Sequence, residues 1–243
     1  MGEQLKRTAI VTGATSGIGF EISQLLRNKD YRVYGFGRDF SKFDGGDKDF
    51  IPVVCDFTDY NHIVKEIQKI KKEAKVSVLI NCAGVGYFGL HEELNPKKIH
   101  EMVAVNLEAP LLFTQQFLRD IKQQEGFIIN ISSVTAKESN PHGCAYGATK
   151  AALSSFSKSL FDEARKYGIK VVSIHPDMTK SNFYRNADFC EGDTKDAYLY
   201  AHEVANTVAF VLSQRDAVAI TDITLQPQRH RISRKKSKND TKN

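Results

Sequence analysis

Long apolar runs are missing from this chain of 243 residues. No stretch approaches the roughly 18 apolar residues that cross a bilayer, so a membrane-spanning helix is not expected. Cysteine is scarce and scattered: Cys55, Cys82, Cys144 and Cys190 form no C-x-x-C pair and have no neighbouring histidine at metal-ligand spacing. That excludes a disulfide scaffold and a zinc site, and predicts reduced thiols. The first residues, MGEQLKR, lead straight into an apolar run without the pattern of a cleavable signal, and Lys6 stands where a myristoylation motif needs Ser or Thr. A cytoplasmic protein is the expectation.

Charge of one sign is also lacking over most of the chain. The formal net charge is +5, yet residues 229–243 alone hold seven Lys or Arg against one Asp, a net of +6, so the rest is close to neutral. A near-neutral body argues against a large nucleic-acid-binding face and leaves the basic end as the only stretch suited to phosphate or membrane contacts. That end reads as a solvated, disordered tail that contributes nothing to a site. With 41% hydrophobic and 26% charged residues, the chain is neither collagen-like nor disordered. Its length suits a single domain over 1–228, followed by the tail 229–243.

Short β-branched runs alternate with longer stretches of helical period. The runs predict strands over 8–12, 32–36, 51–55, 76–81, 127–132, 169–175 and 220–225, and helices over 17–27, 60–72, 97–122, 145–166 and 202–214. Strands without polar alternation fit a sheet covered on both faces. The fold class expected is therefore α/β: a single-domain, Rossmann-like, doubly wound parallel sheet flanked by helices, with ligands at the C-terminal strand ends.

The segment TGATSGIG, residues 12–19, falls where the first strand should give way to the first helix. In that setting Gly13 suits a tight turn, Gly17 lets backbone approach a pyrophosphate, and Gly19 permits close helix–strand packing, while the helix start offers unpaired N–H groups to an anion. The spacing differs from G-x-G-x-x-G and lacks the Gly-Lys-Ser/Thr end of a P-loop, which disfavours a kinase-type site. A glycine-rich turn without a ligand is the alternative. At the end of the second strand Gly37 is followed by Arg38, so no carboxylate awaits a ribose 2′-OH and a guanidinium can meet a 2′-phosphate. Either that or an ordinary surface charge accounts for Arg38. Asp56, after the third strand, suits an adenine amino group or a helix cap shared with Asp59.

Of the nine tyrosines, Tyr146 alone has a lysine four positions on, Lys150. At the start of a helix that spacing puts both side chains on one face, where an ammonium should favour phenolate and lower the phenol's pKa from about 10. Tyr146 then suits proton exchange with a carbonyl or alcohol oxygen. Ser133 ends the fifth strand at the same sheet edge, where its hydroxyl either stabilises charge on a carbonyl oxygen or caps the strand. No Gly-x-Ser-x-Gly elbow surrounds it.

Asn106 interrupts an apolar stripe running Ile99, Val103, Asn106, Pro110, Phe113, Phe117. Pro110 has no N–H for the Asn106 carbonyl, so the helix should kink and that carbonyl should seek another donor, with water the natural one. A tolerated proline beside a satisfied amide is the alternative.

Taken together, Thr12-Gly13-x-x-x-Gly17-x-Gly19, Asn81-Cys82-Ala83-Gly84, Asn106, Ser133, Tyr146 and Lys150 resemble the short-chain dehydrogenase/reductase family over about residues 7–226. The resemblance implies an NADP(H)-dependent oxidoreductase acting on a ketone or secondary alcohol. Tyr146 would be its acid/base, Lys150 would lower the Tyr146 pKa and hold the nicotinamide ribose, Ser133 would orient the carbonyl, and Asn106 would hold a water leading to Lys150. Cofactor contacts are implied for Gly13, Thr15, Ser16, Gly17, Ile18, Gly19, Arg38, Asp56, Asn81, Ala83, Gly84, Tyr146, Lys150, Pro176, Thr179 and Ser181, with no metal. Two departures stand out: Pro176-Asp177 where Pro-Gly is usual, and Ser181 where the family has Thr. Substrate choice is expected in 86–94, 134–144 and 178–200, where Phe183, Tyr184 and Phe189 either line a pocket or simply pack. The resemblance also implies a homodimer or homotetramer joined through the helices beginning near 97 and 145. The near-neutral body and the lack of long apolar runs predict no nucleic-acid or membrane partner, with binding of nucleic acid or an acidic partner through Arg229 to Lys242 as a third reading. A cofactor-binding sensor or scaffold with little turnover is the rival reading.

Overall fold

The structure, a computed structural model, describes residues 6–41, 43, 48–229 and 231–235. Along the chain these form β1 (Arg7–Thr12), α1 (Gly17–Arg27), β2 (Tyr31–Gly37), β3 (Phe50–Val54), α2 (Tyr60–Glu73), β4 (Val76–Asn81), α3 (Pro96–Val103), α4 (Ala109–Gln123) and β5 (Phe127–Ile131). Then follow α5 (Cys144–Ala164), β6 (Lys170–Pro176), β7 (Thr179–Lys180), β8 (Phe189–Glu191), β9 (Leu199–Tyr200), α6 (Ala201–Leu212), β10 (Asp222–Leu225) and β11 (Ile232–Arg234). Seven strands make one parallel sheet in the order β10-β6-β5-β4-β1-β2-β3. The order reverses at β1, which pairs with both β2 and β4, and a crevice at such a reversal is where open α/β sheets bind ligands.

Alternation along buried strands sends apolar side chains to two cores. Ile10 of β1 joins Ile63 and Ile67 of α2 and Phe113 and Phe117 of α4, whereas its neighbours Ala9 and Val11 meet Ile22 and Leu26 of α1 and Val204 and Val208 of α6. A polar seam crosses the first of these faces. Asn81 Nδ2 donates to Asn130 Oδ1 and Asn130 Nδ2 to Ser157 Oγ, both at 2.8 Å, so the buried amides of β4 and β5 are tied to α5. Among the described residues no helix is long and apolar enough to cross a membrane.

Two expectations need correction. The helix expected over 97–122 is two helices joined by one π-helical turn, Ala104–Glu108, in which the Ala109 N–H reaches back five residues to the Ala104 carbonyl. Pro110 cannot donate, and the wider turn absorbs the mismatch. The same slip changes the buried stripe: Met102 is fully buried and Val103 faces solvent at 42% exposure. Of the basic end 229–243, read as a disordered tail, residues 232–234 instead form β11, which pairs antiparallel with β8 in the register Ser233 opposite Cys190; residues 230 and 236–243 of that reading lie outside the described residues. Three residues, Ile-Ser-Arg, are too short to show a period, and the partner that orders them lies some forty residues away.

Candidate active site

The C-terminal strand ends enclose a cleft. It is lined by the turn from Gly13 to Gly19, Gly37 and Arg38 at the end of β2, Asp56 to Thr58 after β3, Cys82 to Val85 after β4, Ser132 and Ser133 after β5, and Pro176, Asp177 and Thr179 around the end of β6. Tyr146 and Lys150 enter from α5, and Ser181 to Arg185 close one side. Glycine is required at two points of the turn: Gly13 has φ +72°, and a Cβ on Gly19 would lie 2.3 Å from the Gly13 carbonyl oxygen. The Thr12 hydroxyl accepts from the N–H groups of Cys82 and Ala83, each at 3.0 Å, and so stitches the end of β1 to the end of β4.

This end of the cleft suits an anion. Ser16 caps α1 without a side-chain capping bond, and no acidic residue stands in the first turn, so a hydroxyl and the helix-start N–H groups remain for a ligand. A Cβ on Gly84 would lie 3.6 Å from Lys150 Nζ and Asn106 Oδ1, an ordinary contact distance, so the Gly84 main chain runs beside the lysine at the floor of the cleft. The residues present therefore fit a dinucleotide. Arg38 is largely exposed and faces Glu101 at 3.7 Å, whose other carboxylate oxygen accepts from the Tyr87 hydroxyl at 2.6 Å. Asp56 lines the cleft but does not cap α2, a place taken by Asp59; its carboxylate accepts from the Thr58 N–H and hydroxyl at 2.9 and 2.8 Å, bonds that hold its pKa below the usual range.

Ser133, Tyr146 and Lys150 meet at the other end. The Ser133 hydroxyl oxygen accepts from the Thr135 N–H at 3.2 Å and the Thr135 hydroxyl at 3.0 Å, which leaves its own hydrogen free to be donated. Lys150 is buried and donates to the Ile131 carbonyl at 2.8 Å; burial lowers its pKa to about 8. The expected lowering of Tyr146 by Lys150 is not found. The ammonium lies 5.9 Å from the ring centroid, and burial pushes the phenol above its ordinary value against a smaller opposing effect of the Ser133 hydroxyl.

Two predicted residues stand behind the cleft. Asn81 spends its amide on Asn130 and is absent from the lining. Asn106 is also absent from it; its Oδ1 accepts from the Val85 N–H at 2.8 Å, and its Nδ2 donates to the Val85 carbonyl at 2.9 Å and to Thr149 at 3.1 Å. Asp177 closes its own turn, its carboxylate accepting from the Met178 N–H at 2.7 Å. Ser181 caps the turn that carries Phe183. The aromatics of that loop do pack: Phe183 and Phe88 lie 5.5 and 5.6 Å from the Tyr146 ring, and Phe189 and Tyr184 extend the cluster.

Sequence reasoning missed Glu101, the Thr12 stitch and His175, which reaches the Ser133 carbonyl from β6. A lone histidine at the end of a buried strand was the only signal for the last.

The short chain dehydrogenase family model matches residues 7–189. An uncharacterized oxidoreductase of Staphylococcus epidermidis is 29% identical over 233 residues, covering 93% of this chain and all of the relative. An uncharacterized short-chain type dehydrogenase/reductase of Sinorhizobium fredii is 30% identical over 228 residues, covering 90% of each chain. Among solved structures, an alcohol dehydrogenase from the archaeon Thermococcus sibiricus, complexed with 5-hydroxy-NADP, superposes with a TM-score of 0.83 at 22% identity, covering 93% of this chain and 98% of its own. With its parallel sheet, glycine turn and Ser-Tyr-Lys cluster, this chain belongs to the short-chain dehydrogenase/reductase family of oxidoreductases.

Proposed function

We propose that this oxidoreductase is an NADP(H)-dependent carbonyl reductase or secondary-alcohol dehydrogenase, with Tyr146 as the general acid/base. The observation that carries the reading is that Ser133, Tyr146 and Lys150 open onto the same cleft as the Gly13–Gly19 turn. Preference for NADP(H) rests on Arg38 following Gly37 at the cleft, where β2 itself ends without a carboxylate. Gly13, Thr15 to Gly19, Arg38, Asp56, Ala83, Gly84, Pro176, Thr179 and Ser181 would hold the cofactor, and when bound it supplies or accepts the hydride.

In the reducing direction the remaining work is moving one proton. A phenol held above its ordinary pKa is protonated at neutral pH, so Tyr146 stands ready to donate to a carbonyl oxygen. Ser133 can donate to the same oxygen, because Thr135 occupies its acceptor side. Lys150, with a pKa of about 8, is the buried group best placed to return a proton to Tyr146. Ring contacts with Phe88 and Phe183 keep bulk water from the phenol.

The test is oxidation of NADPH across a panel of ketones, aldehydes, acyl thioesters and sugars. Turnover on at least one class, abolished by Tyr146→Phe, is expected; tight NADPH binding with no turnover on any class would favour the sensor reading.

A further inference from the structure

His175 is fully buried at the end of β6 and sits between two oxygens. Its Nδ1 lies 3.1 Å from the Ser133 carbonyl oxygen and its Nε2 2.9 Å from Asp222 Oδ2. Both neighbours can only accept: a carbonyl has no hydrogen, and Asp222 is an ionised carboxylate whose other oxygen accepts from Lys137. A neutral imidazole has one N–H and one lone pair, so it satisfies one neighbour and turns a lone pair on the other. Only the imidazolium donates to both.

We propose that His175 is a positioning residue for Ser133: doubly protonated, its ring ties the Ser133 main chain to Asp222, and loss of one proton releases that tie. The proposal rests on Ser133 orienting the substrate carbonyl, as read above. On deprotonation the proton left on the ring belongs with Asp222, because a carboxylate is the stronger acceptor. The Ser133 carbonyl then faces a lone pair and keeps only the Ala136 N–H, at 3.0 Å. Ser133 begins the short turn Val134–Ala136 and holds its hydroxyl through Thr135 on that turn, so a shift of its main chain moves the donor aimed at the substrate.

The charged groups acting on the ring are Asp222 from β10 and Lys137 from the turn after Ser133. Helix α5, packed on β6, buries the titratable Tyr146 and Lys150, and neither acts on it. Burial outweighs the pull of Ser133 and Asp222 and holds the His175 pKa below its ordinary value. The tie is therefore made on the acid side and lost as pH rises.

Long-range proton–nitrogen NMR, with the His175 signals assigned by their loss in His175→Asn, reads the ring directly. Two protonated nitrogens at low pH and Nε2–H alone at high pH are expected. KM for a reducible carbonyl substrate should rise about threefold to tenfold across the same titration, the worth of one hydrogen bond, while NADPH affinity stays constant. His175→Asn places an amide N–H near the Nδ1 position and should keep KM low and independent of pH. His175→Gln reaches toward Asp222 instead and should keep KM high throughout. A ring that holds its lone remaining proton on Nδ1, or equal KM for the Asn and Gln variants, overturns the proposal. Absence of any carbonyl turnover would defeat the proposed function instead, and the NMR titration would still decide the state of the ring.

Discussion

Removing residues 229–243 should damage substrate handling far more than stability. The sequence assigned this end no part in the site, yet Arg229, Arg231 and Lys235 are laced to the loop that carries Phe183, Tyr184 and Phe189. The Arg229 N–H donates to the Asp196 carbonyl at 2.9 Å, the Gly192 N–H to the Arg231 carbonyl at 3.1 Å and the Lys235 N–H to the Asp188 carbonyl at 2.8 Å. Lys235 Nζ donates to the Tyr184 and Ala187 carbonyls at 2.5 and 2.9 Å. At a net ~0.5–1.5 kcal/mol each, with the exposed ones at the low end, these bonds hold the loop by roughly 2–5 kcal/mol. Among the described residues of this end, 229 and 231–235, none belongs to the seven-stranded sheet or to the two large cores.

The loss should therefore stay local. Phe189 lies 5.1 Å from Phe88, and Phe88 5.6 Å from Tyr146, so a freed loop loosens the wall around the phenol. Truncation after Gln228 should raise KM at least tenfold, leave NADPH affinity within about twofold, and lower Tm by only a few degrees. Amide exchange over 183–198 should accelerate, which is measurable without a substrate. Lys235→Ala keeps β11 and removes two of the bonds, so it should raise KM about threefold. Unchanged exchange over 183–198 together with unchanged KM in the truncated chain would show that the strand does not hold the loop, and this reasoning would fail.

Three further outcomes are expected. Arg38→Ala should weaken NADPH binding about tenfold and spare NADH, and Glu101→Gln, which removes the carboxylate facing Arg38, should tighten NADPH; fluorescence titration with both cofactors checks this, and equal losses for both would refute it. Tyr146→Phe should lower kcat by on the order of 10²-fold or more with NADPH affinity kept, since the ring contacts survive and the transferable proton does not; near wild-type turnover would remove Tyr146 from the acid role. Lys150 is protonated below about 8 and neutral above, so kcat for reduction should decline as pH rises through that value, and a profile flat well beyond it would mean that Lys150 does not return the proton.

What could be read from the sequence was what depends on neighbours along the chain. Strand β2 was expected over 32–36 and spans Tyr31–Gly37, because the closely spaced Val33, Tyr34 and Phe36 have few other ways to be buried together. The glycine turn was legible since Gly13 and Gly19 meet a steric demand within seven residues. Long-range pairings were not legible. Strand β11 exists because β8 presents an edge to it, and His175 matters because β5 and β10 bring Ser133 and Asp222 to its two nitrogens. Electrostatic balance was misjudged for the same reason: spacing put Lys150 beside Tyr146, but how deeply the fold buries the phenol decides the direction of its shift.

Asn106 shows how a local inference can find the right place and leave most of the contacts there unread. An amide on a buried stripe with proline four residues on does mark an irregular helix, and the π turn sits there. The reading fixed on the main-chain carbonyl, whereas the described contacts run through the side chain. Both amide hydrogens and one lone pair of Asn106 are used, two on Val85 and one on Thr149, and the Thr149 hydroxyl donates in turn to the Tyr146 carbonyl at 2.7 Å. One buried amide therefore ties the strand extension that lines the cleft to the first turn of the helix that presents Tyr146 and Lys150. An apolar residue of the same size would strand both polar groups of Val85 in a site closed to water, a cost of about 1–3 kcal/mol for each group left unpaired. An asparagine on an otherwise apolar stripe is thus explained by the distance it holds between two walls of the site, a demand that no stretch of sequence around it displays.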